Sequence, residues 1–387
     1  MAGIYIHIPY CRQACSYCDF HFSVTQETKD SFINSLISEI SIQKNYLEGE
    51  EIKTLYFGGG TPSLLSEADL EKIFNALFNH FSISSNAEIT LEANPDDLTD
   101  EKISGLKHSP VNRLSIGVQS FFDKDLQWMN RAHNAAQAYA CIISAQDAGF
   151  ENISADLIYG LPDSGNHEWE ENLNKALSFN VQHLSCYSLT VEPRTALAHL
   201  ISTGKNKPLN EEQSAQQFVM LMKRMKAENW LHYEISSFAL ENKFISKHNT
   251  SYWFGEKYLG LGPSAHSFNG NSRQWNVANN QRYTGSLSKG ILPFEKENLT
   301  PVQRINERII TELRTMWGLT ISDFGLPVFN LLRTRSKELA SDNLVKADEN
   351  SIILTDQGKM IADKIILELM LDEEATIDNS RNKKSVV

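Results

Sequence analysis

Short runs of β-branched and aromatic residues recur along the first half of the chain, at residues 4–8, 53–57, 88–92, 113–118, 153–159 and 183–189. Segments of helical periodicity separate them. The longest, residues 25–46, carries Phe32, Leu36, Ile37 and Ile40 at helical spacing, and residues 67–81 carry Leu70, Ile73, Phe74, Leu77 and Phe78 on one stripe. Residues 135–148, 168–177 and 211–228 follow the same pattern, the last preceding a further apolar run at 231–235. Strands alternating with helices of this length predict parallel βαβ units, because parallel neighbours need a crossover of helix length. The runs are largely apolar, as strands covered on both faces are. A chain of 387 residues also exceeds the size at which one core stops growing, so a large domain and a smaller one are expected.

Each polar motif falls at or just past the C-terminal end of an expected strand. A cysteine loop follows the first, Gly58-Gly59-Gly60-Thr61-Pro62 the second and Glu92-Ala93-Asn94-Pro95 the third. Gly117-Val118-Gln119-Ser120 follows the fourth, Asp156 and Tyr159-Gly160-Leu161-Pro162 the fifth, and Thr190-Val191-Glu192-Pro193 the sixth. Parallel sheets and barrels bind ligands at that edge, so the placement argues for one continuous site. The glycines allow close backbone approach, and freed N–H groups there can meet an amino-acid carboxylate or amine; a plain turn before a helix is the alternative. Glu92 suits an ammonium or a ribose diol, Gln119 and Asp156 suit hydroxyls, and Arg131 can fork onto a carboxylate. Taken singly, each of these reads more readily as a solvated or structural polar group; their joint placement around one edge is what favours the site.

Five cysteines, an odd number, argue against a disulfide framework. Cys141 and Cys186 sit in apolar surroundings typical of packing thiols. Cys11, Cys15 and Cys18 instead form C-x3-C-x2-C, with Tyr17 before the last. Structural zinc sites and [4Fe–4S] clusters both normally take four ligands. Three thiolates on a cubane leave one iron open to a chelating substrate. A zinc site completed by a distant histidine, or a redox dithiol, is the bland alternative.

Acidic residues outnumber basic ones 48 to 36, for a net charge of −12. That argues against a general nucleic-acid or anionic-membrane binder, whose affinity rests on Lys and Arg. No apolar run approaches the ~20 residues of a membrane span. The opening residues lack the basic segment and longer apolar core of a secretory signal, so the cytoplasm is the expected compartment.

The segments YIHIPYCRQACSYCDF, FGGGTPSLL, LEANP, RLSIGVQSF, DLIYGLP, HLSCYSLTVEP and YLGLGPSAHSF together resemble the oxygen-independent coproporphyrinogen III oxidases and their relatives in the radical SAM superfamily, over residues 5 to about 371. The resemblance implies an α/β fold, a partial (β/α)6 barrel with a [4Fe–4S] cluster on Cys11, Cys15 and Cys18. It implies S-adenosylmethionine held by Tyr5, Tyr17, Gly59, Gly60, Thr61, Glu92, Gln119, Arg131, Asp156 and, on a looser match, Thr190. Two departures separate the chain from the oxidase: it begins almost directly at the first strand, and Phe20 stands where the oxidase has a further cysteine. Both resemble the HemW-type branch of heme chaperones. That branch implies heme or a porphyrin as ligand, a heme-acceptor protein as partner, an electron donor of flavodoxin or ferredoxin type if the cluster is redox active, and room for a homodimer. The alternative it leaves is the oxidase reaction itself, radical oxidative decarboxylation of coproporphyrinogen III propionates.

The same branch carries H-N-x-x-Y-W, here His248-Asn249-Thr250-Ser251-Tyr252-Trp253. His248 could ligate heme iron, and Tyr252 and Trp253 offer flat apolar surface. A turn at His248 with the aromatics in the core is the other reading; His266 is a second ligand candidate. From about residue 300 the pattern changes: helices at 303–315 and 328–339, a hairpin at 344–354, then a helix from Thr355, a suitable N-cap, to about 371. This predicts a small winged-helix-like α+β module. Its last helix has no excess of basic residues, with three acids and two lysines, favouring interaction or substrate covering over DNA. The expected divisions are 1–235 for the barrel, 236–299 as a connecting region, 300–371 for the module, and 372–387 as a disordered tail.

Overall fold

Six parallel strands lie side by side in chain order: β1 (Ala2–Ile8), β2 (Ile52–Gly59), β3 (Ile83–Ala93), β4 (Arg113–Gln119), β5 (Ile153–Tyr159) and β6 (His183–Ser188). This computed structural model of the protein describes residues 2–372. Helices Lys29–Ile42, Glu67–His80, Asp100–His108, Ala135–Asp147 and Asn166–Ser178 carry the crossovers. Crossovers that all advance in one direction leave one face of the sheet inside and curl it toward a barrel. The expected parallel α/β architecture is therefore present, and five of the crossover helices cover its outer face with apolar stripes such as Leu70, Ile73, Phe74 and Leu77, all buried.

The sheet continues past both ends of the six. Beyond β6 run antiparallel β7 (Leu231–Glu234) and β8 (Ser237–Ala239), with β8 paired to β6. Beyond β1 lies β9 (Tyr258–Leu261), parallel to it, then the antiparallel strands β10 (His266–Phe268), β11 (Ser272–Asn276) and β12 (Phe294–Asn298). The stretch expected to be a connecting region thus contributes five strands, β8 to β12, to the main sheet. Strands of three or four residues such as β9 and β10 show little periodicity, and the inward positions of β11 are the polar Ser272, Gln274 and Asn276, so no apolar alternation marks it.

The C-terminal residues build a second core around Ile309, Leu332, Leu339, Ile352 and Ile366. Its elements run helix Pro301–Glu312, β13 (Leu319–Thr320), helix Leu326–Ser341, β14 (Val345–Ala347) and β15 (Ser351–Leu354), with β15 central in a three-stranded sheet. Thr355 caps the next helix through Gly358 N, as expected. That helix does not run on to residue 371. It breaks at Ile361 (φ −130°, ψ 34°), and a separate helix Ala362–Leu369 turns Ile365, Ile366 and Leu369 into the small core. Of the expected tail, residues 373–387 lie outside the described residues.

Candidate functional site

The loop after β1 is tied at its base and at its tip. Ser23 N donates to Pro9 O and Cys11 N to Ser23 O, closing residues 11–23 into a ring. Ser16 N donates to Met129 O, and Asn130 Nδ2 donates to Ala14 O at 2.7 Å. Leu197 N donates to Ser16 O from the segment after β6. Arg12 pairs with the buried Asp97 at 2.5 Å. The three clustered cysteines are therefore held over the C-terminal mouth of the barrel.

A cavity of about 460 Å³ opens beneath them. Every residue the sequence assigned to the cluster or to S-adenosylmethionine lines it, except Tyr5. Cys11 Sγ accepts from Thr61 Oγ1 and Cys15 Sγ from Arg131 Nη1, both at 3.4 Å. Arg131 is locked by two further bonds, from Nη2 to Asn94 Oδ1 (2.6 Å) and to Gly117 O (3.0 Å). Its buried Nε has no partner among the described residues. Burial pushes the Cys11 thiol up and the Cys18 thiol up to about 12, so a bound metal would have to draw these protons off. Among the described residues, no three His, Cys, Asp or Glu side chains are grouped to hold a single ion. Ligands that take separate irons of a cubane need no such convergence, so the donor set fits a cluster.

The glycine motif departs from expectation. Gly59 N donates to Glu92 Oε2, Gly60 N to Ile8 O and Thr61 N to Tyr10 O. These amides are spent on the fold and are not free to hold a ligand. Glycine is needed here for another reason: a Cβ on Gly60 would stand 2.7 Å from the carbonyl oxygens of Ile8 and Tyr10. Glu92 also accepts from Tyr56 Oη at 2.7 Å. Burial, assisted by the charge of Asp156, raises its pKa to about 7. Burial likewise raises Asp156, against hydrogen bonds from Ser115 (3.0 Å) and Ser154 (3.1 Å). Gln119 ends β4 at φ 65°, a left-handed conformation that costs a non-glycine residue and is typical of functional sites. Asn94 and Asn249, not assigned from sequence, line the same cavity. Asn94 lay inside a quoted motif, and its geometry as the Arg131 anchor is tertiary.

A second cavity of about 740 Å³ lies beside the first, and Asp19 and Phe20 line both. Tyr5, His7, Tyr252, Trp253, Phe254, His266 and Arg304 are on its wall. Tyr5 therefore stands apart from the other residues assigned with it, with Oη 3.1 Å from His7 Nδ1. The H-N-x-x-Y-W motif forms a short helix, Lys247–Trp253, capped by Ser246 Oγ. Glu88 accepts from both Lys247 N and His248 N, fixing the helix start against β3. Asn249 faces the smaller cavity; Tyr252 and Trp253 face the larger.

His248 faces neither. It is fully buried between them. Its Nδ1 meets Thr54 Oγ1 and its Nε2 meets Tyr252 Oη, both at 2.8 Å, and its ring stacks on Tyr56 at 4.9 Å. Burial first, then Arg113, lowers its pKa to about 3, so it stays neutral. In this conformation neither nitrogen is open to an iron. His266 lies on the cavity wall, its ring stacked on Trp275.

Comparison with known proteins agrees with this architecture. Residues 5–176 match the Radical SAM superfamily, and residues 299–361 match the HemN C-terminal domain. The chain is 36% identical to the heme chaperone HemW of Bacillus subtilis, over 94% of this chain and 98% of that protein. It is 33% identical to HemW of Lactococcus lactis, over 95% and 97%. The chain belongs to the HemW family of heme chaperones in the radical SAM superfamily. The coproporphyrinogen III oxidase HemN of Escherichia coli shares the fold, with a TM-score of 0.83 over 95% of this chain and 90% of that one, at 23% identity. The relatives do not favour the oxidase reading. Among the described residues, no helix is long and apolar enough to cross a membrane.

Proposed function

We propose that this HemW-family chain carries a [4Fe–4S] cluster on Cys11, Cys15 and Cys18, binds S-adenosylmethionine in the smaller cavity, and passes heme to an acceptor protein. The observation that carries the reading is the meeting of three cysteines, Arg131, Glu92 and Asp156 on one cavity at the C-terminal edge of the six parallel strands. When bound, the cluster supplies an iron free of protein ligands and a one-electron redox centre. Arg131 holds Cys15 in place, and its unpartnered Nε suits an anionic group of a ligand. Glu92, with its raised pKa, is poised to ionise against an ammonium or to accept from a ribose hydroxyl. Asp156, held by Ser115 and Ser154, offers a second hydroxyl partner.

The test is anaerobic reconstitution followed by iron and sulfide analysis, S-adenosylmethionine titration, and incubation of the heme-loaded protein with an apo-hemoprotein. Transfer of the heme absorbance to the acceptor is expected. Conversion of coproporphyrinogen to protoporphyrinogen without heme binding would establish the oxidase instead.

A further inference from the structure

We propose that heme sits in the larger cavity, with His266 as its iron ligand and Arg304 facing a propionate. The proposal rests on the heme reading above and deepens it.

Three histidines line this cavity. His7 has both nitrogens engaged, Nδ1 with Tyr5 Oη at 3.1 Å and Nε2 with His21 O at 2.8 Å. His21 commits Nε2 to Asn280 Oδ1 at 2.8 Å. His266 has no hydrogen bond to either nitrogen among the described residues; its one ring contact is Trp275, with centroids 6.1 Å apart. It is also exposed, where an iron can reach it. Partial burial, then the charge of Arg273, lowers its pKa, which favours the neutral form that ligates metal.

The surroundings suit a flat, apolar, dianionic ligand. Tyr252, Trp253, Phe254 and Phe268 supply aromatic surface. The volume, about 740 Å³, is in the upper part of the range for small-molecule sites. Three arginines reach the wall, and two are already paired. Arg273 faces Glu307 at 2.7 Å, and Arg308 holds Glu312 and Asp323. Arg304 meets only the neutral Asn271, at 3.0 Å, so its charge is available to a carboxylate. His248 then acts as a positioning residue: through Tyr252 Oη it fixes one aromatic wall of the cavity.

The experiment is titration of the purified full chain with hemin and with hemin dimethyl ester, followed at the Soret band. A Soret shift is expected in the wild type. His266→Ala should lose that shift and bind at least about tenfold more weakly, since loss of even a supporting partner costs metal sites 10–100-fold. His266→Gly with added imidazole should recover the wild-type band. Arg304→Ala should weaken hemin by roughly two- to fivefold, as for an exposed ion pair, and leave the ester unaffected. His248→Ala should keep the wild-type band position. If the wild type shows no shift, the heme reading itself fails. If it shifts and His266→Ala titrates identically, or if a normally folded His248→Ala loses the band while His266→Ala keeps it, the heme reading stands and the assignment of His266 is overturned.

Discussion

The two cavities share Asp19 and Phe20 but are built in different ways. The smaller is assembled mainly from the ends of successive parallel strands and the loops that follow them, with Asn249 of the motif helix added. The larger is assembled where β1, the motif helix, the antiparallel extension and helix Pro301–Glu312 meet, drawing its wall from residues 5 to 311. The smaller is rich in thiols, carboxylates and amides; the larger in aromatic rings, imidazoles and guanidiniums. One scaffold edge thus holds a polar cavity beside an aromatic-rich one, with the motif helix as the partition. His248 is internal to that partition.

The division of labour makes the largest predicted effect an all-or-none one. Cys15→Ser should abolish the brown absorbance and the bound iron and sulfide of the reconstituted protein. Cys141→Ser and Cys186→Ser should leave them intact, because both thiols are buried in the apolar core away from the cavity. Loss of iron in either variant would mean that the ligands are misassigned.

His248→Ala should cost about 2–4 kcal/mol in denaturant unfolding, because it leaves Thr54 Oγ1 and Tyr252 Oη without their buried partner and empties a packed position. His266→Ala, at an exposed position, should stay within about 0.5 kcal/mol. Equal costs for the two would erase the distinction between partition and wall.

Acid titration separates a cavity carboxylate from a core one. Burial raises both Glu92 and Glu39 from an ordinary 4.5 to about 7. Glu39 is fully buried and accepts from Tyr283 Oη, Gly262 N and Asn276 Nδ2, away from either cavity. Between pH 4.5 and 7 the folded protein holds protons that the unfolded chain has released. Each group therefore makes stability fall as pH rises through that window, by at most about 1.4 kcal/mol per pH unit, and level off above it. Glu39→Gln and Glu92→Gln should each flatten this slope in melting experiments. Only Glu92→Gln should also remove the gain in S-adenosylmethionine affinity expected as pH rises toward 7. A matching change in Glu39→Gln would couple the core to the ligand.

The smallest effect is expected at the shared wall. Phe20 is 65% exposed, so Phe20→Ala should leave stability within about 0.5 kcal/mol. It should weaken the ligands of both cavities by less than about fivefold, as rim contacts do. Weakening of one alone would show that the wall serves a single site.

Much of the smaller site was legible in the sequence because its residues follow apolar runs whose ends can be read locally. Thr61, Glu92, Gln119, Arg131 and Asp156 all reach the cavity expected of them. The amides of this motif did not behave as expected, since nothing in Gly58-Gly59-Gly60-Thr61 reveals that Glu92, Ile8 and Tyr10 would claim the N–H groups of Gly59, Gly60 and Thr61. Tyr5 alternates along β1 onto the side of the neighbouring cavity. The resemblance pointed to the H-N-x-x-Y-W motif, but the burial of its histidine depends on Thr54 and Tyr56 in β2, nearly two hundred residues away in the chain.

Periodicity and motif placement alone determined the parallel βα repeat and the thiol loop at its edge, because both depend on neighbours within a few residues. Tertiary structure alone decided which imidazole faces an open cavity and which is sealed in a wall. That choice is made where the short antiparallel strands and the C-terminal helix close against the barrel, through hydrogen bonds and burial that no local pattern encodes.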